Sequence, residues 1–109
     1  MAGLECDEGV EGDVNKDYDV IIIGGGPAAL AAAIYTCRAL LKTVIFEKKY
    51  LGGQLVSTEL IENYPGFPEV ISGVDLTQRM ETQAKRFGLE IRYEEVLKLH
   101  IENGLKVVT

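Results

Sequence analysis

Gly24, Gly26 and Ala29, with Glu47 following about twenty residues on, are the positions of this 109-residue chain whose types and spacing could do chemistry. In Gly24-x-Gly26-x-x-Ala29 the first glycine permits a tight turn and the second lets a pyrophosphate approach the backbone. The alanine lets a helix pack closely on a strand. Pro27 falls in the first helical turn, where its missing N–H has no partner to lose. The free N–H groups and the positive end of the helix dipole then face the phosphates. A carboxylate at Glu47 accepts hydrogen bonds from ribose hydroxyls and repels a 2′-phosphate, which disfavours NADP at this site. No Gly-Lys-Ser/Thr follows the glycines, so this is not a phosphate-binding loop of the NTPase kind. The chemistry implied is the seating of an adenine dinucleotide.

The flanking pattern supplies the elements that must position these residues. Val20 to Ile23 is an unbroken β-branched run, which reads as a strand buried on both faces, as in a parallel sheet. Ala28 to Leu41 reads as a helix, and Thr43 to Glu47 as a second buried strand ending in the acid. Gly52-Gly53 opens the backbone for close approach, and Gln54 and Asn63 each offer an amide that donates and accepts. Asn63 precedes a stiff Tyr64-Pro65-Gly66 turn. A loop this long with mixed apolar content reads as functional. Ser72 caps a second helix whose buried stripe is Leu76, Met80, Ala84 and Phe87. Gly88 stands where a left-handed residue ends a helix. Leu89 to Tyr93 reads as a third strand. Val96 to Ile101 and Leu105 to Thr109 read as a hairpin across Asn103-Gly104.

The remaining composition sets bounds. Hydrophobic and charged contents of 47% and 26% are those of an ordinary globular chain. The net charge of −6 is concentrated in residues 1–17, where six acids face Lys16 alone; that segment carries −5 and leaves −1 for the rest. Residues 1–17 therefore read as a disordered acidic leader, and 18–109 as the folded part. No basic face points to nucleic acid. No apolar run approaches a membrane span, and no secretory or mitochondrial signal opens the chain. Cys6 and Cys37 form neither a C-x-x-C pair nor a zinc pattern, and no other metal site is expected. Cys37 sits among apolar helix positions as a small hydrophobe. His100 has no catalytic partner in sight. A cytoplasmic location is expected.

The string Asp19 to Ala33, the strand end Phe46-Glu47-Lys48, Gly52-Gly53-Gln54-Leu55, Glu62 through Pro68, and Ile71-Ser72-Gly73 through Gly88 together resemble thioredoxin reductase of the low-molecular-weight type. The resemblance covers about residues 18 to 109. It implies an α/β fold: a Rossmann-like FAD-binding βαβ unit with a parallel sheet and a β-hairpin excursion, a truncated three-layer domain. It implies FAD as cofactor, with Gly24, Gly26, Pro27, Ala28 and Ala29 lining the pyrophosphate and Glu47 holding the adenosine ribose. Gly53, Gln54 and Leu55 would contact the middle of the cofactor, Asn63 would lie towards the flavin, and the Val96 backbone would face the adenine. Ala29 stands where the family commonly has glycine.

That family passes electrons from NADPH to FAD, then to a C-x-x-C disulfide, then to thioredoxin. This chain has no C-x-x-C, no second glycine fingerprint for NADPH and no later strand to close the domain. The expectation is therefore the N-terminal FAD-binding part of a thioredoxin-disulfide reductase, with no catalytic residue of its own. Alone it would bind FAD weakly or not at all and be inactive. The parent protein would be a cytoplasmic homodimer acting on a thioredoxin-like disulfide, with no nucleic acid or membrane partner. The alternatives are a thioredoxin-reductase-like ferredoxin–NADP reductase lacking the dithiol, and a non-catalytic nucleotide-binding module.

Overall fold

A computed structural model describes residues 4–6 and 16–109. In chain order the elements are β1 (Leu4–Cys6), β2 (Lys16–Tyr18), β3 (Val20–Ile23), α1 (Pro27–Arg38), β4 (Thr43–Phe46), a 3-10 turn (Gly53–Leu55), α2 (Gly73–Arg86), β5 (Glu90–Arg92), β6 (Leu99–Glu102) and β7 (Leu105–Val108). They make two sheets. The first is parallel, in the order β3-β4-β5, with Ile22 beside Ile45 and Ile45 beside Ile91. The second runs β2-β1-β7-β6.

The β-branched run at Val20–Ile23 reads as a strand buried on both faces, but the sheet covers it only in part: Val20, Ile21 and Ile22 are half-buried and Ile23 is 54% exposed, because β3 stands at the sheet edge among the described residues. On one face Ile22, Ile45 and Ile91 pack with Leu30, Ala33 and Cys37 of α1 and with Leu76, Met80 and Ala84 of α2. On the other, Ile21, Val44 and Phe46 pack with Tyr18 and Val96. β4, in the centre, is buried at all of its positions. Among the described residues β3 pairs with β4 alone, so its opposite edge carries no strand.

The helices follow the sequence pattern with one correction. The second helix is capped by Ser72, whose Oγ accepts from the Asp75 N–H at 3.0 Å, and it ends before Gly88 at φ +95°. Leu76, Met80 and Ala84 are buried, and Phe87 packs partly buried beside them. The first helix stops at Arg38 rather than running to Leu41. Asp19 explains the early stop: its Oδ2 accepts from the Lys42 N–H at 2.8 Å, and its own N–H donates to the Lys42 carbonyl. Lys42 is thereby fixed at the foot of β3. The chain must leave the helix to reach it, and Leu40 does so at φ +63°, its side chain 91% exposed.

The hairpin forms with Asn103 and Gly104 both at positive φ, as a two-residue turn between twisted strands demands. Its strands are shorter than the pattern suggested, Leu99–Glu102 and Leu105–Val108. The leader departs from expectation where it is described. Leu4–Cys6 forms a strand, antiparallel to β2 and parallel to β7. The other leader positions, 1–3 and 7–15, lie outside the described residues. No helix among the described residues is long and apolar enough to cross a membrane.

Candidate functional site

The corner between β3 and α1 is built from three glycines that do three different things. Gly24 takes φ +95°, a conformation L side chains rarely adopt, and its N–H donates to the Phe46 carbonyl at 2.8 Å. Gly25 is closed in: a Cβ there would stand 2.6 Å from Leu51 Cδ2 and 3.3 Å from Glu47 Cβ. Gly26 has an ordinary φ of −76°, and a Cβ there would meet nothing within 4 Å. Neither backbone strain nor a clash of a Cβ with the described residues requires glycine at Gly26. Bare backbone facing open space at a helix N-terminus is what an approaching anion needs. Pro27 opens the helix at its first position, Ala28 is exposed, and Ala29 packs on the helix core.

Glu47 is turned into this corner. Its Oε1 accepts from the Gly25 N–H and its Oε2 from the Lys49 N–H, both at 2.9 Å. Burial pushes the carboxyl upward. The N–H groups of Lys49, Gly25 and Lys48, with the Lys48 ammonium, outweigh that and hold it below the usual carboxylate value. The acid is thus ionised at neutral pH, with acceptor capacity left for hydroxyl donors.

The segment after β4 folds back over the same corner. The Gly52 N–H donates to the Gly25 carbonyl at 2.7 Å, and Gly52 itself stands at φ +103° against Thr77 and Val56. Gly53 follows at φ +53°, where a Cβ would lie 3.5 Å from Gly26 Cα. Glu47, Gly53 and Gln54 line one cavity of about 290 Å³, joined by Lys49, Tyr50 and Ser57. Leu55 turns to the helix core instead, where it is partly buried. The structure therefore brings together Gly24, Gly26, Glu47, Gly53 and Gln54. Asn63 stands exposed on the later loop, and Val96 lies on the opposite face of the sheet against Tyr18, Val44 and Phe46.

Sequence reasoning passed over Gly25, a free position in the glycine pattern, and Leu51, the side chain that occupies its space. The contact between them is not a spacing but a fit. In the sequence, a leucine directly before Gly52-Gly53 is the one sign of it. Tyr50 and Ser57 carried no signal.

The sequence matches the pyridine nucleotide-disulphide oxidoreductase family over residues 18–109. It is 51% identical over 103 residues to a thioredoxin reductase of Treponema pallidum (strain Nichols), covering 88% of this chain and 34% of that protein. It is 48% identical over 91 residues to a thioredoxin reductase of Mycolicibacterium smegmatis, covering 84% and 29%. Its fold is similar to the structure of a thioredoxin reductase from Gloeobacter violaceus, with a TM-score of 0.78 and 43% identity over 84% of this chain and 29% of that one. The chain thus spans about a third of the length of the curated relatives it matches.

Proposed function

The chain belongs to the pyridine nucleotide-disulphide oxidoreductase family, and from that premise we propose that residues 18–109 are the N-terminal FAD-binding part of an NADPH-dependent thioredoxin-disulfide reductase. The observation that carries the reading is Gly26, a glycine whose φ is ordinary and whose missing side chain leaves open space. A bound pyrophosphate is the occupant that accounts for both. In this reading Gly24, Gly26, Pro27, Ala28 and Ala29 hold the diphosphate, and Glu47 takes the adenosine ribose hydroxyls while keeping its grip on the corner. Gly53, Gln54 and Leu55 lie along the middle of the cofactor, Asn63 towards the flavin, and Val96 by the adenine. Bound FAD supplies the redox chemistry, and the chain supplies position and charge. The relatives' names support thioredoxin as the acceptor served by the whole protein, a cytoplasmic homodimer in this reading. The NADPH site and the dithiol belong to parts of the protein other than these residues.

Gly26→Val tests it. A Cβ at φ −76° meets nothing within 4 Å among the described residues, so the fold should survive, at a cost of about 1 kcal/mol for giving up glycine at the helix N-cap. FAD titrated into the chain, followed by flavin fluorescence, should bind weakly but saturably, and the variant should bind about tenfold more weakly still. Equal FAD binding by the two proteins, at concentrations that saturate the parent, would end the reading.

A further inference from the structure

The C-terminal part of α1, the flank of α2 and the loop at Tyr64–Phe67 enclose an open groove of about 700 Å³, within the size range of small-molecule sites. None of the residues gathered at the glycine corner lines it. Its floor is apolar, from Ile34, Leu76 and Met80. Arg38, Arg79 and Arg86 line it as well, the last two on one flank of α2 with Gln83 between them.

None of these three guanidinium groups meets a carboxylate at ion-pair distance among the described residues; the nearby Glu81 is taken by Lys85. Each instead lies over an aromatic ring. Arg38 and Arg86 stand 5.9 and 5.4 Å from the Phe87 centroid, and Arg79 stands 5.7 Å from that of Phe67. Ring stacking limits the freedom of a guanidinium and leaves its N–H fork available. Three positive charges with no carboxylate at ion-pair distance among the described residues repel each other around one groove, and an anion entering it would relieve that repulsion.

We propose that this groove is a second ligand site, independent of the dinucleotide corner, for a phosphate ester with a planar aromatic body, of mononucleotide size. Charge selects the phosphate. A phosphate monoester brings a charge of about −1.5 to −2 and three acceptor oxygens, whereas a single carboxylate leaves two of the arginines unanswered. Arginine is also the side chain whose geometry grips phosphate through paired N–H donors. Space and lining select the aromatic body. The groove is far larger than a phosphate, and the exposed Tyr35 ring, over which no guanidinium lies among the described residues, offers a face on which a base can stack.

The test is titration of the full chain with AMP, read from the arginine Nε–Hε resonances. The signals of Arg38, Arg79 and Arg86 should shift together and saturate, and inorganic phosphate should move them only weakly. An Arg79→Gln/Arg86→Gln variant should lose affinity by about tenfold or more. Arg79→Lys, which keeps the charge without the fork and leaves the helix undisturbed, should fall between the two. Gly26→Val should leave the midpoint at the arginines unchanged, which separates this site from the dinucleotide corner. AMP shifts confined to Gly24–Gly26 and Glu47, inorganic phosphate matching AMP, or unaltered binding by Arg79→Lys and the double variant would each overturn the proposal. So would saturation of the arginine signals by a peptide of residues 1–17 and not by AMP, which would make the groove a dock for the chain's own acidic segment.

Discussion

Glu47 holds two stretches of backbone at once, and that makes it a structural residue before any ligand arrives. Its oxygens take the N–H groups of Gly25 and Lys49, so the acid ties the glycine corner to the turn leaving β4. Because its folded pKa is lowered, its stabilisation is complete above the ordinary glutamate value of about 4.3 and is lost as pH falls through the lower folded value. Glu47→Gln should cost about 1–2 kcal/mol at neutral pH, since an amide can accept from the two N–H groups through only one oxygen. Thermal unfolding of both proteins from about pH 7 to about pH 3 should show the gap between them closing on acidification. A gap that persists unchanged would show that charge is not what the corner uses. At this scale the sequence was informative about chemistry and poor about fit. Glu47 was legible because an acid at a strand end after a glycine turn has a known use. Gly25 was not, because the need for glycine there arises from Leu51, a contact made only once the loop has folded back.

The elements were legible wherever one local signal fixed them. Ser72 begins α2 by capping it, Gly88 ends it at positive φ, and Asn103-Gly104 turns the hairpin. Boundaries set at a distance were not. The last residues expected in α1 continue its apolar character, and only the tie between Asp19 and Lys42 shows why the helix cannot include them. The join between α2 and the loop before it is of the same kind. Gly73 is buried, and a Cβ there would fall onto the carbonyl oxygens of Leu55 and Thr58, so loop and helix touch through bare backbone. Gly73→Ala should cost about 1–3 kcal/mol by overpacking, although alanine is the better helix former. Gly26→Ala, equally conservative in size, should cost less, about 0.5 kcal/mol for giving up glycine at the N-cap. Chemical denaturation of the two variants checks the contrast, and similar losses at both positions would contradict it.

At the scale of the whole molecule, the two sheets are joined through Tyr18. Its ring is 2% exposed under Val44 and Phe46, its hydroxyl donates to Glu90 Oε2 at 2.8 Å, and the Lys42 ammonium stands 5.1 Å from the ring centre. Burial, and then the bond to Glu90, push the phenol up to about 12, partly opposed by Arg92. The stabilisation is therefore complete below the ordinary tyrosine value of about 10 and is lost as pH rises from there to about 12. Tyr18→Phe should cost about 1 kcal/mol at neutral pH and should lose less stability than the parent across that alkaline window, measured by unfolding at each pH. The parallel sheet and its helices were readable from periodicity. The second sheet was readable only as a hairpin, because Leu4–Cys6 joins it through backbone bonds that leave no mark on side-chain pattern.

The unpaired side of β3 has a practical result. Among the described residues, Val20–Ile23 offers a short, uncharged row of unpaired amides and carbonyls in the most β-prone run of the chain, without a proline or lysine within the strand to blunt it. Such a rim is a template on which another extended segment can zip, and edge-to-edge stacking between molecules is the failure it invites at high concentration. Whatever strand covers it protects solubility as well as completing the sheet.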